Sequence, residues 1–496
     1  MRRVVLAGLV LVVVLAVLGA GGLYWFLSGD GIRTALERQA TAWLGQPVHV
    51  AAARVALLPR VAIQLDGVSI GEPVRVTLSE VTVSTGLRAL LKRRIADAAV
   101  HMRDSRLDLP LPFALPSSGN PGAGTDAGAA VTVESIRSIS LEDVTIASRG
   151  REIRVSAESS LAGSRLELRQ FTAESGMTSI TAQGMVELEP RMDAVLEVTA
   201  NRIDLDELLA LANAFSGSAP SEPAAARPAS TGPRPRIAAR VSAERGTIGG
   251  VDVSQLAADV QIEGGQVALS PLTFQLFGGR YEGAFTATLE ETMAVTIQSR
   301  LVSLDVAALA AFGGTADTIS GTLSGEGTFS GSGGDLAEVL GNARGNGKAE
   351  IVDGTIQRLG LVRTVVLFFG RPAPDAAATT DAFSRMDLQF SLARQLFTAD
   401  AFSLRSPDAD ILGTGALAVP TKALSGRFGL MLSEDLSAQA GTNLARYTRE
   451  GNRVVLPTTL GGTLEDPRLT IDAAAALRRG LRNEVQERLK GLLGGS

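Results

Sequence analysis

The sequence predicts a mainly β protein: a single N-terminal transmembrane helix, then an antiparallel sheet with a few short helices and a C-terminal amphipathic helix. Three observations carry this reading. The chain begins with a long uncharged apolar run. Beyond it, hydrophobic residues alternate with a period of two in segment after segment. Gly is abundant, at 54 of 496 residues, while aromatics are only 4% and the apolar share of 45% comes from Ala, Val and Leu. Plentiful apolar surface with few large side chains suits repeated strands and turns better than a compact enzyme core.

The apolar run extends from Val4 to Leu27 and follows Met1-Arg2-Arg3. As a helix it covers about 36 Å, enough for a hydrocarbon core with some tilt. A helix satisfies every backbone group inside the lipid. Arg2 and Arg3 hold their end in the cytoplasm, and Tyr24 and Trp25 favour the opposite interface. A cleaved signal peptide is the alternative; its apolar region is about 7–15 residues, shorter than this one, although Leu18-Gly19-Ala20-Gly21 offers a cleavage site. Both readings send the remainder across the membrane. A lipid-modified N-terminus requires cysteine, and the chain has none.

After the run, residues 31–43 have a helical pattern, with Ile32, Leu36, Ala40 and Trp43 on one face and Gly45 and Pro47 ending it. The period then changes to two. Val61, Ile63 and Leu65 alternate with Ala62, Gln64 and Asp66; Val81 and Val83, and Val131 and Val133, follow suit. Met386, Leu388, Phe390 and Leu392 alternate with polar residues, as do Phe428, Leu430 and Leu432 with their neighbours. Such alternation gives a strand one apolar face. Asp353-Gly354 and Gly278-Gly279 read as turns. Short strands joined by turns predict antiparallel pairing, because parallel strands need a crossover, usually a helix, and helical patterns are few.

Residues 112–130 and 216–235 are rich in Pro, Gly, Ser and Ala and read as linkers; 371–380 is a weaker case. Residues 202–215 echo 301–314: each has a strand-like lead, an Asp and a short apolar helix, with Asp204 or Asp206, and Asp305, as candidate caps. At the C-terminus, Asp472 can cap a helix whose stripe is Leu477, Leu481, Val485, Leu489 and Leu492. That helix either plugs the sheet or contacts a partner or membrane.

Composition and motifs argue against chemistry. The net charge is −5 and no basic stripe is visible, so nucleic acid is not an expected partner. Without cysteine there is no disulfide or thiolate metal site. The two histidines, His49 and His101, are read as ordinary strand or surface residues. Neither H-E-x-x-H nor G-x-S-x-G occurs. Residues 341–348, GNARGNGK, fail as a phosphate loop, with Asn342 in place of the first Gly and Ala349 in place of Ser/Thr. Residues 325–335, GEGTFSGSGGD, read as a tight turn. No catalytic, cofactor-binding or metal-binding residue is assigned.

Four segments in order resemble the bacterial AsmA family of inner-membrane-anchored envelope proteins. Residues 35–73 contain a short helix, Gly45-Gln46-Pro47-Val48, Leu58-Pro59-Arg60 and Leu65-Asp66-Gly67-Val68-Ser69-Ile70-Gly71. Residues 246–285 resemble the family's repeat, above all Leu276-Phe277-Gly278-Gly279-Arg280. Residues 319–361 resemble its C-terminal module, and 460–472 its closing strand. The resemblance implies a chorein-like start and a long, curved β-groove lined by apolar side chains, suited to carrying phospholipid acyl chains.

On this reading, 1–27 is the cytoplasmic tip and anchor, with Arg2, Arg3, Val4, Tyr24, Trp25 and Leu27 as anchor residues. Residues 28–111 form an N-terminal β region, 112–130 a linker, 131–215 a middle β region, 216–235 a second linker, 236–372 the repeat, and 373–496 the C-terminal region. Candidate groove-lining residues are Val61, Ile63, Leu65, Leu388, Phe390, Leu392, Phe428, Leu430 and Leu432. The expected protein sits in the bacterial inner membrane with its bulk in the periplasm. It passes phospholipid between the inner and outer membranes, and the terminal helix contacts outer-membrane or periplasmic proteins. The alternative is a periplasmic scaffold or assembly factor for outer-membrane proteins, with a packed core and no lipid transfer.

Overall fold

A computed structural model of the chain describes residues 29–56, 60–86, 94–95, 97–111, 132–133, 135–215, 235–288, 292–357, 380–439, 448–472, 474–475 and 478. The expected anchor and the terminal leucine stripe lie outside them. Among the described residues no helix is long and apolar enough to cross a membrane. The protein is mainly β and divides into two compact units, one ending at Asp252 and the other running from Gly265, with parts of the strand between them assigned to each.

The first unit opens with helix α1 (Gly29–Leu44) and strands β1 (Val48–Ala56), β2 (Val61–Ile70) and β3 (Val76–Thr85). Gly45 ends the helix at φ +65°, a conformation that costs glycine little. Leu36, Ala40 and Leu44 of α1 pack on Val48, Val50, Ile63, Leu65, Val68 and Ile70. The helix also seals the edge of the sheet. Thr41 Oγ1 accepts from Val48 N at 3.1 Å, and Glu37 Oε1 from Val50 N at 2.8 Å. Two outward amides of an edge strand are thereby satisfied and withdrawn from pairing with another chain.

The unit continues with β4 (Arg94–Ile95), β5 (Ala98–Arg103), β6 (Arg106–Leu109), β7 (Thr132–Val133), β8 (Ser135–Ser148), β9 (Arg151–Ala162), β10 (Arg165–Ser175), β11 (Thr178–Glu187), β12 (Asp193–Asp204), α2 (Leu205–Phe215) and β13 (Arg236–Ile248). Most pairs are antiparallel, as expected. Arg149-Gly150, both at positive φ, turn β8 into β9, the backbone a two-residue hairpin requires. Two main joints are parallel and correct the expectation: β5 and β6 pair parallel with β8, and β12 pairs parallel with β13 from Asp193↔Arg236 to Asp204↔Thr247. A parallel joint needs a long return path. The Pro/Gly/Ser-rich stretches at 112–130 and 216–235 fall in those two returns.

β14 (Val251–Glu263) follows. The second unit then contains β15 (Gln266–Leu276), β16 (Gly279–Thr288), β17 (Met293–Asp305), α3 (Val306–Phe312), β18 (Ile319–Gly333), α4 (Leu336–Gly341), β19 (Arg344–Gln357), β20 (Thr380–Ala393), β21 (Leu396–Arg405), β22 (Ala409–Ala418), β23 (Ala423–Leu432), α5 (Glu434–Gln439), β24 (Arg449–Glu450), β25 (Arg453–Gly462) and β26 (Pro467–Ile471). From β15 to β23 each strand pairs antiparallel with the next; β23 then pairs with β25, and β25 with β26.

The echo at 202–215 and 301–314 has a common geometry. Asp204 Oδ1 accepts from Glu207 N at 3.0 Å, and Asp305 Oδ1 from Ala307 N at 2.8 Å, so in each case the last strand residue caps the next helix. Asp472 caps likewise, accepting from Ala475 N at 2.8 Å. Two turn readings fail. Asp353-Gly354 lies inside β19, where Asp353 at φ +53° forms a bulge against β18. Residues 325–333 are not a turn but the second half of β18.

Candidate functional site

The register of the second unit aligns its apolar side chains into rows that run across the strands. In the first row Leu304, Leu323, Ile351, Met386, Leu404, Ile411, Leu430 and Leu456 follow one another from β17 to β25. Its last members are buried, Leu430 and Leu456 at 0% exposure, in a core completed by Val454 and by Leu436 of α5. One residue pair further along the strands, the second row reads Phe274, Tyr281, Leu301, Gly325, Ala349, Leu388, Phe402, Gly413 and Phe428. The third is small apart from Phe390: Gly283, Ser299, Gly327, Gly347, Phe390, Ala399, Gly415 and Gly426. The fourth returns to bulk with Phe285, Ile297, Phe329, Gly345, Leu392, Phe397, Leu417 and Leu424. Nearly all residues of rows two to four are half-buried. No side chain in these rows is charged.

The predicted lining residues fall into three environments. Leu388, Phe390, Leu392 and Phe428 sit on this half-buried face. Leu430 and Leu432 share the strand of Phe428 but are at 0% exposure beside α5. Val61, Ile63 and Leu65 belong to the first unit and are buried on β2, where Ile63 and Leu65 pack in the core shared with α1. Leu301, Phe329, Phe402 and the glycines were not expected. Their signal was present as Gly325-x-Gly327-x-Phe329 and Gly345-x-Gly347, small residues at the strand period, but the first read as a tight turn and the second as a failed phosphate loop.

The opposite face is polar. Arg300 and Lys348 both meet Glu326, at 3.1 and 2.8 Å, and Arg385 meets Glu350 at 2.9 Å and Asp387 at 2.8 Å. These groups border a hollow of about 700 Å³. Hydrogen bonding from Lys348 holds the Glu326 carboxyl below its usual range, and Arg385 does the same to Asp387. Each of these cations has a carboxylate partner, so the hollow presents a neutralised, solvated ladder of small energetic worth. His101 Nδ1 lies 3.9 Å from Glu142 Oε1 on the surface, and His49 is exposed. Among the described residues no group of His, Asp and Glu could hold a metal ion.

Comparison with known proteins adds one finding. No curated protein and no solved structure matches the chain. Residues 222–400 match the AsmA family. The match takes in β13 to β20 and with them Leu301, Phe329, Leu388, Phe390 and the glycines of β18 and β19. On that stretch the chain is similar to the AsmA family, which agrees with the resemblance read from residues 246–285 and 319–361.

Proposed function

We propose that the apolar face of the second unit holds the acyl chains of phospholipid, and that the protein is an inner-membrane-anchored periplasmic protein conducting phospholipid toward or from the outer membrane. The observation that carries this is the half-buried, uncharged face aligned in register from β15 to β23. Such a face is too extensive to leave wet. Rows one to four span about seven residues of strand, roughly 23 Å. One leaflet's share of a bilayer core is about 15 Å, so the band has room for an acyl chain. Ten buried methylenes are worth about 8 kcal/mol before ordering costs. With no charge in the rows, head groups stay in water and head-group selectivity is weak. The match of residues 222–400 to the AsmA family fits an envelope role of this kind, and the reading involves no catalysis, cofactor or metal.

A scaffold with a packed core is the second reading. The closed core beneath α1 favours it for the first strands of the chain. The deciding experiment is native mass spectrometry with lipid extraction on the full-length protein in mild detergent. Co-purified phospholipid is expected, and a lipid-free protein refutes the proposal.

A further inference from the structure

Most glycines of the apolar face are covered by aromatic rings; Gly325, against Ala349, is not. Phe428 on β23 lies over Gly413 and Gly415 of β22 and over Gly426 of its own strand. A methyl group added at Gly413 would stand 2.5 Å from the ring's Cδ1, one at Gly415 3.3 Å from its Cζ, and one at Gly426 would collide with Cε2. Phe390 covers Gly347 in the same way, at 2.6 Å from Cζ, and Phe329 covers Gly345 at 2.5 Å from Cδ1. The rings also touch one another. Phe390 stacks on Phe397 at 4.8 Å between centroids, and Phe402 meets Phe428 edge to face at 5.5 Å. A ring laid across a glycine adds apolar area without adding height. The face therefore alternates large and small residues in sequence while remaining level.

We propose that these ring-on-glycine pairs level the floor so that an acyl chain moves along the rows instead of lodging between them. The inference rests on the lipid reading above and adds a role for particular residues. A chain travelling along a row crosses a strand about every 4.8 Å. Dispersion is short-ranged, and a radial gap of about 0.5–1 Å forfeits a quarter to a half of each contact. A floor of bumps and holes would turn every crossing into a barrier. A level floor keeps the contact energy nearly constant along the path, so that binding is strong enough to enter and shallow enough to move on. Phe428 is the best test position, because it covers three glycines at once.

The test uses the full-length protein reconstituted in donor vesicles of phosphatidylethanolamine and phosphatidylglycerol carrying a fluorescent acyl-labelled phospholipid, with unlabelled acceptor vesicles. Lipid bound per protein is measured in parallel by extraction. In Gly426→Ala the new methyl meets the Phe428 ring first, with the nearest backbone atom, Thr414 O, at 3.0 Å, so the ring must lift. Transfer should slow by about fivefold or more, a larger factor than any fall in bound lipid. The milder Gly415→Ala should act in the same direction. Adding Phe428→Leu to Gly426→Ala replaces the ring by a shorter side chain that fits beside the methyl, and transfer should recover. Wild-type transfer in Gly426→Ala, or a double variant as slow as the single, overturns the levelled floor while leaving the lipid reading intact. A wild-type protein that carries no lipid overturns both.

Discussion

Placing a carboxylate at Leu388 or at Leu430 separates an open lipid face from a filled core. The two residues lie on β20 and β23, in neighbouring rows of one apolar face. Leu430 is at 0% exposure. Leu430→Asp forfeits the burial of a leucine, about 1.5–3 kcal/mol, and places a carboxylate where it has no partner, at a further cost of several kcal/mol. The sum is comparable to the whole stability of an ordinary domain, about 5–15 kcal/mol, so this variant should not fold. Leu388 is half-buried between Ala349 and Phe402. A carboxylate there reaches water through the open face, and the fold loses about 1 kcal/mol, half of a leucine's burial. Bound lipid is affected more. If three methylenes lose their apolar contact, affinity falls by about 2.4 kcal/mol, roughly 50-fold. Thermal melts followed by circular dichroism, with lipid extraction from the same preparations, read both effects. If Leu388→Asp unfolds as Leu430→Asp does, the face is a packed core and the reasoning fails. If Leu388→Asp keeps its lipid, the acyl chains lie elsewhere.

Two further outcomes test the fold itself. The Arg453 guanidinium donates to Leu432 O at 2.6 Å, Met431 O at 3.0 Å and Asp410 Oδ2 at 2.7 Å; Arg453→Ala strands these acceptors and should cost about 3 kcal/mol in urea unfolding, with Arg453→Lys recovering only part because it lacks the planar fork. Asp387 has its folded pKa lowered, first by hydrogen bonding from Arg385. Its contribution is therefore complete above the unfolded aspartate value of about 3.9 and is lost as pH falls through the lower folded value. Asp387→Asn should flatten that part of the stability profile below the unfolded aspartate value of about 3.9, by a small amount because the pair is exposed.

Much of this architecture is legible in the residues. Alternation at 386–392 and 428–432 determines strands and assigns each a face, because side chains on a strand point to opposite sides in turn. Asp305 and Asp472 announce their helices, since a short carboxylate can accept from a free amide at a helix start. The family resemblance is likewise carried by local segments, and the match at 222–400 contains two of the four, 246–285 and 319–361. What the alternation does not encode is what lies on the apolar face. Val61, Ile63 and Leu65 show the same pattern as Leu388, Phe390 and Leu392. The former are buried on β2, with Ile63 and Leu65 in the core shared with α1, and the latter are half-buried, a difference made by what packs on the face and not by the alternation. The two parallel joints were equally hidden, because pairing direction depends on where a long return path places the chain.

The glycines show the division most clearly. Sequence alone determined that they recur at the strand period. Only the cross-strand register decided that Gly327, Gly347, Gly415 and Gly426 fall in one row beneath aromatic rings from neighbouring positions, because a row across a sheet is set by the hydrogen-bond register, which bulges shift and the alternation does not encode.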